Sequence, residues 1–261
     1  MGLKLKIAAI PLDIAWGDVD ENLCAVERAL SAMPSDVDVV VLPELFSTGF
    51  VHDRASLEQL AENLSGKTIQ ALLRWAHTFN VAIAGSYLFR IGDKFFNRGF
   101  IVEPSGEEMF YDKRHLFGIS PEASLFTAGE SLPPIVRFRG WNLSMIICYD
   151  LRFPVWCRNQ GMRYDVMLVP ANWPDARSFA WSRLLSARAI ENQAYYVGAN
   201  RSGSDDYGHY DGMSMIVDGL GQIISEEVDG IVYATAEKDL LDNERRKLPV
   251  GKDSDNFKIL I

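Results

Sequence analysis

Three cysteines in 261 residues (Cys24, Cys148 and Cys157) form neither a disulfide framework nor a zinc-binding pattern. Neither a Gly-x-Gly-x-x-Gly nor a phosphate-binding Gly-Lys-Ser/Thr loop occurs, so nucleotide binding has no sequence support. Basic residues are outnumbered, 26 against 35, for a formal charge of −9. Without a basic stripe to meet phosphates, the chain is not expected to bind nucleic acid. No segment reaches the ~20 apolar residues of a membrane span. The lysine-bearing start, "MGLKLKIAAIPLDIAWGD", is broken by Pro11 and Asp13 and is too short for a secretory signal. A cytoplasmic protein with reduced thiols is expected.

What is present is ordinary globular composition, 48% hydrophobic and 23% charged, with no linker, repeat or low-complexity break. Unbroken α/β patterning runs through residues 1–261, so a single domain is expected, with a loose tail from about residue 248. "LKLKIAAI" alternates as a strand, and "ENLCAVERALSAM" has helical spacing. "VDVVVLPE" (37–44) is a continuous apolar run, as expected of a strand buried on both faces. A helix over "TIQALLRWAHTFN" leads to "VAIAGSYLFR", a Gly-Asp turn, "KFFNRGFIVEP" and "EEMFYDK", an antiparallel meander. "PPIVRF", a Gly-Trp turn and "NLSMIIC" read as another hairpin. A helix near 153–161, a strand "DVMLVPAN", a long helix "ARSFAWSRLLSARAIENQ" and a strand "AYYVGAN" follow. Two or three strands and a charged helix close the pattern. Layered α/β architecture follows from this alternation, and the hairpins exclude a purely parallel sheet.

Three apolar runs stop at a reactive side chain: "DVVVLPE" at Glu44, "EEMFYDK" at Lys113 and "LSMIIC" at Cys148. Singly, each has a plain structural explanation as a helix cap, a solvated charge or a small core residue. Together they match a chemical need. A thiol at its free pKa is barely ionised near neutral pH and requires a base. An acyl-transfer intermediate also requires positive charge or donors at its oxyanion. A Cys–His enzyme is the lesser reading: only His115, two residues beyond Lys113, is tempting among four histidines.

"LPELFSTGF", "YDKRHLF" and "ICYDLRFP", in this order and spacing, resemble the three motifs of the nitrilase superfamily of carbon–nitrogen hydrolases. The likeness extends from the first strand to about residue 236. "VPANWPDARSFAW" and "LLSARAIENQAYYVGANRSG" point further to the bacterial omega-amidase branch. The resemblance implies a four-layer αββα sandwich of two mixed β-sheets that pairs into a homodimer or a higher even-numbered assembly. It makes Glu44 the general base, Lys113 the oxyanion cation, Cys148 the nucleophile and Glu122 the second carboxylate, which orients the lysine and substrate. No metal or organic cofactor is implied.

At the substrate the expected residues are Tyr149, through its backbone N–H, with Arg152, Asn172, Trp173 and Arg177. Arg152 lies four residues past the nucleophile and Arg177 in a loop after the next strand, both suited to a substrate carboxylate. Ala176-Arg177 stands where eukaryotic omega-amidases carry Thr-Gly, a departure that bears on specificity. The expected activity is ammonia release from the terminal amide of a small carboxylate-bearing molecule such as 2-oxoglutaramate, through a thioester. An N-carbamoyl amino acid amidohydrolase or a nitrilase is the alternative within the superfamily, and a catalytically silent interaction protein the alternative outside catalysis.

Overall fold

In the computed structural model, which describes residues 2–261, strand β1 (Lys4–Ala9) passes through helix α1 (Val19–Ala32) to β2 (Val39–Val41) and pairs with it in parallel. Val39, Val40 and Val41 are all fully buried, which is why this run carries no polar residue. Helices α2 (Arg54–Leu60) and α3 (Lys67–Phe79) lead to the meander β3 (Ala82–Ile91), β4 (Lys94–Val102) and β5 (Glu108–Asp112). The short α4 (Glu122–Leu125) precedes a hairpin, β6 (Val136–Phe138) and β7 (Trp141–Met145), then α5 (Pro154–Cys157). Strand β8 (Val166–Ala171), α6 (Ser178–Asn192) and β9 (Tyr195–Asn200) follow. A two-stranded hairpin, β10 (Ser202–Asp205) and β11 (Gly208–Asp211), stands apart. The chain then forms β12 (Met215–Val217), β13 (Glu226–Val228), β14 (Ile231–Glu237) and α7 (Lys238–Lys247).

One sheet has the order β13-β14-β1-β2-β3-β4-β5 and the other β12-β9-β8-β7-β6. Both are mixed: β1-β2-β3 and β7-β8-β9 run parallel and the remaining pairs antiparallel. Leu5, Ile7, Val39 and Val41 from the first sheet pack with Leu143, Met145 and Leu168 of the second. On the first sheet's other face, Ala8, Val40 and Ile83 meet Val26 and Leu30 of α1 and Ile69, Leu72 and Trp75 of α3. Each such fully buried aliphatic side chain contributes roughly 1.5–3 kcal/mol. Helix α6 seats on β9 at Gly198, where a Cβ would come within 2.6 Å of Leu185 and Trp181. Helix, sheet, sheet, helix is the αββα sandwich.

Two local readings need correction. The β6–β7 turn is Arg139-Gly140, both at positive φ (45° and 81°), not Gly-Trp. Trp141 instead begins β7 opposite Phe138 and is fully buried, because its indole serves the core better than a turn. The helix expected near 153–161 is a 3₁₀ turn over Cys148–Arg152, the four-residue α5 and a second 3₁₀ turn at Gln160–Met162. Pro154 at the first position starts α5, and Gly161 at φ 66° breaks the later turn. The sequence reading also passed over α2, α4 and the β10–β11 hairpin. Beyond α7, the Phe257 carbonyl accepts from Gln160 (2.9 Å), and Ile259 lies with Ser144 and Met167 on the second sheet's outer face.

Candidate active site

Strand β5 runs the same way as β2 and β3, because two antiparallel steps separate β5 from β3. The C-terminal ends of β2 and β5 therefore open on one side of the first sheet, and the ends of β7 and β8 meet them there. Each end carries a polar group. Glu44 follows β2, in a loop pinned to β3 where Ser86 Oγ accepts from Leu45 N–H (2.8 Å) and the Ser86 carbonyl from Phe46 N–H (3.0 Å). Lys113 follows β5, donating its N–H to the Asn97 carbonyl (3.0 Å) and accepting from Gly129 N–H (2.9 Å). A Cβ at 129 would sit 2.0 Å from the Asp112 carbonyl oxygen, so only glycine allows this approach.

Lys113 Nζ is wholly enclosed. It donates to Glu44 Oε1 (2.8 Å) and to Glu122 Oε1 and Oε2 (2.8 and 3.0 Å). Glu122, at the start of α4, also accepts from Phe117 N–H at 2.7 Å. Burial alone would push the Lys113 ammonium down, but Glu122 and Glu44 outweigh it and hold its pKa well above the usual lysine range. It therefore stays charged at any working pH. Burial, followed by Glu44, moves the Glu122 carboxyl up against the opposing pull of Lys113.

Glu44 is fixed on every side. Beyond Lys113, Asn97 Nδ2 donates to Oε1 (2.8 Å) and the Asn172 backbone N–H to Oε2 (2.9 Å). The Cys148 thiol faces the same carboxylate. Burial and then Glu44's negative charge push this thiol well above its ordinary pKa, so it rests protonated. Its backbone sits at φ 44°, a left-handed conformation that costs a non-glycine residue on the order of 1–3 kcal/mol. Asp150 closes the turn, accepting from Ile147 N–H at 3.1 Å.

Glu44, Lys113, Glu122 and Cys148 line one cavity of about 50 Å³ together with Tyr149, Arg152, Asn172, Trp173 and Arg177. All nine residues singled out in the sequence are thus brought to one place. The Arg152 guanidinium lies 4.7 Å over the Trp173 ring, and that of Arg177 5.4 Å from Phe117. Among the described residues neither guanidinium has a carboxylate partner, and both side-chain polar atoms of Asn172 lack a hydrogen bond. His115 does not line this cavity: its ring is stacked on Phe153 and edge-on to Trp156, with Nδ1 held by Asp150 at 2.7 Å. Sequence reasoning missed Asn97 and Asp150. The signal for Asn97 was a polar residue in the inward alternation Phe95-Asn97-Gly99-Ile101 of β4. No metal-binding group of three or more His, Cys, Asp or Glu occurs among the described residues.

The family model described as carbon–nitrogen hydrolase matches residues 6–245. An omega-amidase, YafV, of Yersinia enterocolitica is 41% identical over 262 residues, covering 98% of this chain and 99% of the relative. A 2-oxoglutaramate amidase of Bacillus subtilis is 33% identical over 258 residues, covering 96% and 98%. Among solved structures, a CN-hydrolase superfamily protein of Xanthomonas campestris with an arsenic adduct in its active site superposes with a TM-score of 0.92. It is 35% identical, with 98% of this chain and 99% of that one covered.

Proposed function

The chain belongs to the carbon–nitrogen hydrolase family of the nitrilase superfamily, and we propose that it releases ammonia from the ω-amide of a short carboxylate-bearing molecule. The observation that carries this reading is the Glu44–Lys113–Glu122 cluster facing Cys148 in a cavity that also holds two unpaired guanidiniums.

Cys148 Sγ attacks the amide carbon while its proton passes to Glu44, which is required because the thiol rests protonated. The carbonyl oxygen becomes an oxyanion held by the Lys113 ammonium and the Tyr149 N–H. Glu44 then returns the proton to the departing nitrogen, the C–N bond breaks, and ammonia leaves a thioester on Cys148. Water, deprotonated by Glu44, attacks the thioester, and the thiol is restored as the carboxylic acid departs. Glu122 keeps Lys113 aimed throughout.

The cavity is small, which suits a short substrate rather than a bulky one. Arg152, flattened on Trp173, presents a fork suited to a carboxylate opposite the scissile amide. Removing one partner of a desolvated charge pair costs about 2–5 kcal/mol. Arg152→Leu should therefore lower kcat/KM for 2-oxoglutaramate or succinamate by at least about thirtyfold, and for butyramide by less than about threefold. Ammonia release measured on the three amides decides it. Equal losses on all three would mean that Arg152 holds the site together. Turnover of an N-carbamoyl amino acid or a nitrile in place of the amides would reassign the substrate class.

We also propose a cytoplasmic homodimer. Three unpaired cysteines suit a reducing compartment. Helix α6 exposes Phe179 and Ile190, and α5 exposes Val155, on neighbouring outer surfaces that a second copy would cover. Light scattering at micromolar concentration should give twice the chain mass or a higher even multiple, and the mass of one chain would refute the assembly.

A further inference from the structure

Asp150 is fully buried, two residues past the nucleophile, and its carboxylate accepts four hydrogen bonds. Oδ2 accepts from Ile147 N–H (3.1 Å) and from the Tyr111 hydroxyl (2.7 Å). Oδ1 accepts from His115 N–H (2.9 Å) and from His115 Nδ1 (2.7 Å). Tyr111 and His115 stand two residues on either side of Lys113. One carboxylate thus grips the Cys148 turn from within and the Lys113 segment at both ends. The surroundings fix its partners in turn. Trp156 Nε1 donates to the Tyr111 oxygen (2.8 Å), leaving that hydroxyl's proton for Asp150. The His115 ring stacks on Phe153 at 3.7 Å and meets Trp156 edge-on at 5.4 Å.

We propose that Asp150, with Tyr111 and His115, is a positioning residue that locks the nucleophile turn to the oxyanion cation. Lys113 and Cys148 lie on different sheets, 35 residues apart in sequence. The turn that opens at Cys148 also holds that residue's strained φ, which persists only where the surroundings over-determine it. Small displacement of the Tyr149 N–H relative to Lys113 is enough to weaken oxyanion binding steeply. The inference rests on the roles given above to Cys148 and Lys113.

Asp150→Asn tests it. An amide keeps the shape but carries a donor on one side, so either Ile147 N–H or His115 N–H must face another donor. Two chemical probes separate positioning from mere folding. Iodoacetamide reads the thiol without an oxyanion. Succinic semialdehyde adds the Cys148 thiol across its C=O, the thiol proton ending on oxygen, and the thiohemiacetal oxygen occupies the oxyanion position. In Asp150→Asn, aldehyde affinity and kcat per titrated active site should each fall at least about thirtyfold, with KM and the alkylation rate within about threefold. His115→Ala should show the same pattern more weakly. His115→Asn, whose amide donates to Asp150 from the same position as Nδ1, should recover most of the loss. If Asp150→Asn does not fold, Tyr111→Phe and the two His115 variants decide the matter alone. Unchanged aldehyde affinity and kcat per site with only a lowered Tm would overturn the proposal, and so would parallel loss of alkylation and aldehyde binding. Because both probes act without amide turnover, a wild-type protein inactive on every amide would sink the proposed function and leave this comparison standing.

Discussion

Cys148→Ala is expected to remove ammonia release almost entirely, by about 10⁵- to 10⁶-fold, as loss of a covalent nucleophile does in acyl-transfer enzymes. No other thiol can substitute. Cys157, the last residue of α5, is fully buried with its Sγ 3.5 Å from the Asp150 carbonyl, and burial pushes its pKa up to about 12. Cys24 is exposed on α1, away from the residues that line the catalytic cavity. Cys157→Ala and Cys24→Ala should therefore retain at least a third of normal turnover. The fold should survive Cys148→Ala, because alanine meets the same φ of 44° as cysteine and the lost sulfur borders the catalytic cavity. A Tm within a few degrees of wild type, with no substrate adduct by mass spectrometry, is the expected result. An adduct found on Cys157, or turnover above a thousandth of normal, would reject the assignment.

Why so much of this site was readable in sequence is a matter of where strands end. Val39–Val41 had to be apolar on both faces, so the first polar residue after them, Glu44, marked the sheet's edge. Cys148 likewise closes the buried run of Met145, Ile146 and Ile147, whereas β5 is exposed on one face and ends in Asp112, so Lys113 stood out only beside the other two. Buried strands leave little freedom for polar residues, and chemistry at their ends stands out for that reason. What escaped were groups inside the pattern or in short elements. Asn97 occupies a core position in the middle of β4, where one polar residue among apolar ones looks like noise until Glu44 is seen 2.8 Å away. Asp150 carries no sequence signal of its own, and only the folding of β5 and of the 3₁₀ turn brings its four donors together. The hairpin β10–β11 was missed because Gly203, Gly208 and Gly212 read as loop, and two four-residue strands carry no alternation long enough to count. Trp141 was misplaced for a related reason: a Gly-Trp pair reads as a turn, but burial of the indole outweighs local turn preference.

Glu44→Gln is expected to lower turnover by about 10²- to 10⁴-fold, the usual worth of a positioned general base, while leaving Cys148 open to alkylation. Glutamine keeps the length and one acceptor but has nothing to receive the thiol proton. It also meets donors everywhere: Lys113 Nζ and Asn97 Nδ2 on one oxygen, Asn172 N–H on the other. Its amide nitrogen must therefore oppose at least one of them, at about 1–3 kcal/mol of stability. The sign of the pH effect follows from the neighbours of the thiol. Burial is the first cause of its raised pKa and Glu44's charge the second, whereas Lys113 pulls it down. Deleting the Glu44 charge removes one upward push and leaves the pull of Lys113. The thiolate fraction at a given pH must rise, and the alkylation–pH curve of Glu44→Gln should move to lower pH than wild type. Iodoacetamide rates across pH, alongside ammonia release, read both effects in one preparation. A curve displaced to higher pH would mean that Glu44 does not face the thiol as a charge. Turnover within tenfold of normal would mean that the proton goes elsewhere, and the carboxylate would then serve only to hold Lys113.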